Sequence, residues 1–155
     1  MSVGENKVVV MRFYDELWNQ RRLEIADEIF TADCITHQLQ SGADDVGVPR
    51  NAEAIRNHVT GWLAGFPDLR FEVEQIFAEG DHVVSRCVMQ GTHTGAWLGI
   101  GPTNKTVSIR LIVFHRIRDG KIAEDWVLVE SLGFFQQLGL VPAAEEILAF
   151  TAKQE

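Results

Sequence analysis

The chain is read as an α+β protein, with helices first and an antiparallel meander of strands after them. Three observations carry that reading. Apolar residues recur at helical spacing in the first stretch, as in Val10, Phe13, Tyr14, Leu17 and Trp18. From Leu69 they alternate instead, with Leu69, Phe71 and Val73 set against Arg70, Glu72 and Glu74. Turn signals separate the alternating runs: Glu79-Gly80-Asp81, and Asp119-Gly120, whose glycine permits the positive φ of a tight hairpin. Helices followed by a run of strands define the class.

The first helix is expected from about Lys7 to Asn19, its wet side made of Arg12, Asp15, Glu16 and Asn19. A short second helix spans Leu23 to Phe30, with Leu23, Ala26, Ile29 and Phe30 apolar. Asp33 to His37 reads as a short strand. Gln40 to Arg50, containing Gly42, Gly47 and Pro49, reads as a loop. The third helix covers Ala52 to Gly65, with Ile55, Val59, Trp62, Leu63 and Phe66 on its inner stripe and His58 packed beside them. Phe66-Pro67-Asp68 stops it, because a residue before proline is pushed out of the helical region.

Strands then run from Leu69 to Val73 and from His82 to Thr92. A third runs from Thr106 to Ile117 and the last from Ile122 to Glu130. Leu132 to Leu138 and Ala143 to Phe150 form terminal helices. The last two strands are apolar on both faces, although a sheet packed on helices should show polar residues on its outer side. No helix is left to cover the second face, so a homodimer through the sheet is expected.

At 155 residues the chain is expected to fold as one domain over 1–155, long enough for a real core. Its 46% apolar and 23% charged residues are ordinary globular composition. A formal charge of −8 argues against nucleic acid and against anionic membranes as partners. No apolar run approaches the roughly 18 residues that span a bilayer, and no basic-then-apolar leader opens the chain. Two cysteines, Cys34 and Cys87, are too few for a disulfide framework, so reduced thiols in a cytoplasm are expected. No His, Cys, Asp and Glu cluster has metal spacing, and no phosphate or dinucleotide loop is present, so neither metal nor cofactor is expected.

One stretch is hard to justify as mere connector. Gly91 to Val107 holds four glycines, a proline, His93 and Trp97 between two strands, as expected of the mouth of a small-molecule cavity.

Several motifs, in order, resemble the SnoaL-like polyketide cyclase family, within the nuclear-transport-factor-2-like (ketosteroid-isomerase-like) fold superfamily. They are Phe66-Pro67-Asp68-Leu69, Glu79-Gly80-Asp81-His82-Val83, Gly91-Thr92-His93-Thr94-Gly95 and Gly99-Ile100-Gly101-Pro102-Thr103. Asp119-Gly120-Lys121-Ile122, Glu124, Trp126 and Gln136-Gln137-Leu138-Gly139 complete the set. The resemblance runs from about Val9 to Leu140. It implies a cone-shaped curved sheet, closed by the N-terminal helices around a deep apolar cavity, usually in a dimer. It also implies ring closure by intramolecular aldol condensation without metal or cofactor. The family's catalytic aspartate follows the tryptophan of the last strand; here that position is Val127, which cannot take a proton.

Two acids stand near it. Asp125 shares the strand face of Val127, while strict alternation puts Glu130 on the other face unless the strand end bends. Either is a candidate base, and solvation, ion pairing or, for Glu130, helix capping is the bland alternative. His93 is a candidate proton donor or a clamp on its own loop, and His37 a ligand contact or a core histidine. His82 and His115 flank charged turns and are expected in solvent. Arg86 and Arg110 lie among apolar strand neighbours. Each is expected to pair with an acid such as Asp125 or Glu130, or to bind a ligand oxygen. Tyr14, Trp18, Trp62, Phe66, Trp97, Phe114 and Trp126 supply aromatic area for a flat, apolar ligand, though any one of them fits an ordinary core. Three functions fit: a cyclase-type enzyme abstracting a proton next to a carbonyl, a non-catalytic small-molecule binder, and an isomerase, hydratase or epoxide hydrolase.

Overall fold

Ser2 opens the first helix by a reciprocal cap. Its hydroxyl accepts the Glu5 amide at 3.2 Å, and its own amide donates to the Glu5 carboxylate at 2.6 Å. The computed structural model describes residues 2–38 and 47–151. Helix α1 (Val3–Arg12) runs on as a π-helical stretch, Phe13–Asn19, rather than as one regular helix. That wider coil turns Tyr14, Leu17 and Trp18 into the interior.

The segment expected as a second helix is shorter and tighter: a 3₁₀ turn, Leu23–Ile25, then one turn of α2, Ala26–Ile29. Phe30 already belongs to β1 (Phe30–Gln38), a strand longer than Asp33 to His37. Of the expected loop from Gln40 to Arg50, residues 40–46 lie outside the described residues. Val48–Pro49 form a two-residue β2 paired with β1. Helix α3 (Ala52–Gly65) starts on Asn51, whose side chain accepts the Ala54 amide at 2.9 Å. It stops before Pro67, as expected.

Strands β3 (Arg70–Glu79), β4 (His82–Thr92), β5 (Thr106–Arg118) and β6 (Lys121–Val129) follow. Short helices α4 (Ser131–Gln137) and α5 (Ala144–Thr151) end the described chain. The six strands form one curved, open sheet in the order β2-β1-β6-β5-β4-β3. All neighbours are antiparallel except β1 and β6, which run parallel. The sheet is therefore a meander with an early strand added across its far edge.

Register decides what faces inward. Val83 pairs with His115, His115 with Asp125, and Asp125 with Thr36, so one row crosses four strands on the inner face. Along β5 the inner residues Val107, Ile109, Leu111, Val113, His115 and Ile117 are all buried. Val10, Tyr14, Leu17 and Trp18 from the first helical arm and Ile55, Val59 and Phe66 from the α3 side belong to the same core. The next row over, Val84, Phe114, Trp126 and His37, lies on the outer face.

The glycine-rich stretch caps α3. The amides of Thr94 and Gly95 donate to the Gly65 carbonyl at 3.1 and 3.0 Å, satisfying a helix end that Pro67 leaves open. Leu98 and Gly99, both at positive φ, make the tight turn that pairs Trp97 with Ile100. Gly95 lies so close that a Cβ there would sit 1.9 Å from the Ala64 carbonyl oxygen, and backbone cannot swing aside. Gly95→Ala is expected to cost about 2–3 kcal/mol, read as a thermal midpoint lower by several degrees. An unchanged midpoint would mean that the loop is not held against α3.

Candidate active site

Asp125 is built into the inner face by parity and desolvated by what packs over it. Only 5% exposed, it lines a chamber of about 70 Å³. Phe13, Tyr14 and Trp18 from the π-helical stretch form one wall, and Ile55 and His58 of α3 another. Thr36, Phe71, Val113 and Val127 come from the sheet, and Arg50 from the connection before α3. Burial pushes the Asp125 carboxyl up to about 6, against smaller opposing pulls from the Thr36 hydroxyl and the charges of Arg50 and His37. Its Oδ1 is buried without a hydrogen-bond partner among the described residues. A carboxylate in that state is a stronger base than one in water, and at neutral pH it is still mostly ionised.

The Tyr14 hydroxyl lies 2.7 Å from Ser85 Oγ, deep in the core. The indole N–H of Trp18 is buried and has no acceptor among the described residues. Burial and the nearby Arg50 charge bring His58 down to about 4, so its ring is neutral at physiological pH. His115, expected in solvent, is fully buried instead, and desolvation takes it down to about 3. It follows Val113 by two on an inward-facing strand, and that parity outweighs the charged turn beyond it.

A wider groove of about 480 Å³ adjoins the chamber, and Gln38 and His58 line both. Trp62, Trp97 and Leu98 form its apolar side. The chamber alone is far smaller than the roughly 300–1,000 Å³ of usual small-molecule sites, whereas the groove falls within that range.

Other candidates lie elsewhere. Glu130 is exposed at the start of α4, beyond the end of β6, and its carboxylate accepts the Arg110 amide at 3.4 Å. His93 is fully buried and stacks on Phe66 at 4.9 Å, while its Nδ1 accepts the Thr103 amide at 3.2 Å. It clamps the loop and does not line the chamber. Phe66 packs with Trp62, Trp97 and Phe134 into an aromatic cluster beside it. Arg86 and Arg110 are not buried beside an inner acid: both lie on the outer face and share Glu74, at 3.0 and 3.9 Å. Phe114 is 47% exposed on that face. There too Trp126 stacks on His37 at 5.1 Å, and His37 Nε2 meets Glu124 at 2.8 Å. Of the sequence candidates, the structure thus brings Tyr14, Trp18 and Asp125 together in the chamber, and Trp62 and Trp97 at its approach.

Thr36, Arg50 and His58 complete the chamber and were not legible as site residues. Arg50 is carried in by the β1–β2 pairing and by its amide, which donates to the Cys34 carbonyl at 2.7 Å. Among the described residues no group of three His, Cys, Asp or Glu side chains is placed to hold a metal ion. No helix among them is long and apolar enough to cross a membrane.

An open, curved sheet with helices packed against its inner face and an acid-walled recess places the molecule among the nuclear-transport-factor-2-like proteins. The model of the SnoaL-like polyketide cyclase family matches residues 8–138, and the chain belongs to that family. Among solved structures it is similar to AclR from Streptomyces galilaeus, described as a candidate hydroxylase. That likeness has 28% identity and a TM-score of 0.80, over 99% of this chain and 93% of that one. It is also similar to IdmH from Streptomyces antibioticus, described as a candidate polyketide cyclase, with 30% identity and a TM-score of 0.74, over 86% and 98%. A SnoaL-like protein from Jannaschia sp. CCS1, at 23% identity and a TM-score of 0.76 over 90% and 94%, shares the fold. No curated protein is a significant match to the chain.

Proposed function

We propose that the protein is a cofactor-independent enzyme of the cyclase type, in which Asp125 removes a proton next to a carbonyl of a small, flat, largely apolar substrate. The carbanion so formed attacks a second carbonyl of the same molecule, closing a ring, and the resulting alkoxide takes the proton back from Asp125. One observation carries the proposal: a buried carboxyl on a chamber wall, with an oxygen that has no partner among the described residues. Membership of the family, and similarity to a candidate cyclase at 30% identity, support the substrate class. Naphthoylacetone, a flat aromatic β-diketone, is a suitable probe. Exchange of its central carbon-bound hydrogen with deuterated water should be accelerated by the protein. The rate should rise with pH along a single sigmoid centred near 6, as Asp125 ionises.

A second reading has a specific observation in its favour. Val127 lines the chamber where the family carries its acid, as a binding protein that had given up catalysis would also show. Saturable binding of the probe with exchange no faster than in buffer would select the binder over the enzyme.

The outer face of the sheet is the proposed homodimer interface. Phe77, Ile112, Phe114 and Leu128 are all exposed there on one surface. Phe114→Lys is expected to convert a dimer to a 17.4 kDa monomer in sedimentation; a wild-type chain that already sediments as a monomer would rule the interface out. A reducing cytoplasm suits Cys34 and Cys87, both free and buried, with thiols pushed by burial to about 12 and about 11.

A further inference from the structure

Arg50 differs from every other arginine described. Arg12, Arg22, Arg56, Arg86, Arg110, Arg116 and Arg118 all meet carboxylates. Arg21 donates to backbone carbonyls and Arg70 to Gln90. The Arg50 guanidinium has no ion-pair or hydrogen-bond partner among the described residues, yet it is half-buried on the chamber wall. A desolvated cation without a partner is costly to maintain. Its charge is felt by Asp125 and by His58, but it does not close onto the carboxylate. Trp18, which also lines the chamber, carries a second donor without an acceptor among the described residues, its buried indole N–H.

We infer that Arg50 is the anion-binding residue of the site, and that the substrate is a flat β-dicarbonyl compound held there as its enolate. The inference rests on the proposal that Asp125 is the base. The carbon–hydrogen bond between the two carbonyls breaks, its proton goes to Asp125, and its electron pair spreads over the two oxygens. Negative charge thus moves from Asp125 to the ligand while Arg50 stays positive, so the net charge of the site does not change. A planar anion with two oxygens side by side matches the guanidinium fork as a carboxylate does. Volume supports the pose: about 70 Å³ admits only the dicarbonyl edge, and the ring system is left to the 480 Å³ groove by Trp62 and Trp97. Arg86 and Arg110, on the outer face, cannot take this part.

Naphthoylacetone reports both halves, because its enolate absorbs at longer wavelength than its neutral form. The full-length chain and its Arg50→Gln, Arg50→Lys and Asp125→Asn variants are titrated with it across pH. Charged and titratable groups bearing on the bound ligand are Asp125, Arg50, His58 and Tyr14 in the chamber, His115 behind it, and His37 and Glu124 across the sheet. Wild-type protein should bind the enolate in preference to the neutral form. Arg50→Gln should lower the enolate-to-neutral ratio by roughly tenfold or more, the loss of a charge-assisted contact, and Arg50→Lys should restore part of it. Matching thermal midpoints keep the comparison on binding. An unchanged ratio in Arg50→Gln, preference for the neutral form, or no saturable binding by wild type overturns the inference. Hydrogen exchange separates the two ideas. Exchange lost in Asp125→Asn with the ratio indifferent to Arg50 sinks the anion site alone. A ratio that needs Arg50, with exchange indifferent to Asp125, leaves the anion site without its base.

Discussion

Asp125→Asn should slow proton abstraction by roughly 10²–10⁴-fold, the usual worth of a positioned base, and at the same time make the protein more stable at pH 8. The two effects share one cause. Folding moves this carboxyl from 3.8 to about 6, chiefly by burial, so the folded state holds the proton more tightly than the unfolded chain. Below about pH 4 both states are protonated and the shift has no effect. Between 4 and 6 the unfolded chain releases its proton first, and stability falls as pH rises. Above 6 the buried carboxylate carries its full cost, about 3 kcal/mol. An asparagine of the same shape never ionises, so the variant should draw ahead of wild type through that window and stay ahead above it. Chemical denaturation at pH 4 and pH 8 measures the gap, and probe exchange measures the rate. A slower but no more stable variant would mean that Asp125 is not desolvated. A more stable variant with unaltered exchange would mean that its burial serves something other than catalysis.

Much of the architecture was legible because periodicity is a physical consequence of burial. Val10, Tyr14, Leu17 and Trp18 could share a helix side only by facing the core, and the alternation along β5 separates its residues into two faces without saying which is buried. His115 lies on the same side as Val113 and is fully buried, so parity along the strand outweighs the charged turn that makes it look solvent-facing. What alternation cannot say is which side of a sheet holds a chamber. Strands β5 and β6 are apolar on both faces, so Phe114 and Trp126 looked as suited to a ligand as Tyr14 and Trp18. They face outward because register pairs Phe114 with Val84 and Trp126, while Val113 pairs with Ser85 and Val127. Arg50 carried no local signal at all: in a stretch with Gly47 and Pro49 it reads as a connector. Only the pairing of β2 with β1 brings it to the chamber wall.

Moving the acid to Val127 tests whether the chamber or the position makes the base. Asp125 and Val127 stand two residues apart on one strand face, roughly 7 Å along β6, and both line the chamber. The resemblance to the family places its catalytic acid at the second of these positions. Asp125→Asn combined with Val127→Asp should therefore recover at least tenfold of the exchange lost in Asp125→Asn alone, since proximity and desolvation are present at either end of the same wall. Val127→Asp in the wild-type background should act differently. Two carboxylates on one wall cannot ionise together cheaply, so the second ionisation is pushed above the 6 of Asp125, and the pH profile should broaden upward. Burying the added acid should also lower stability by about 2–4 kcal/mol at pH 8. Failure of the double variant to recover any exchange, despite a folded chain, would show that Asp125 depends on its own neighbours Thr36 and Arg50. The acid would then be tied to this place in the chamber, and the valine at 127 would be part of the substrate wall.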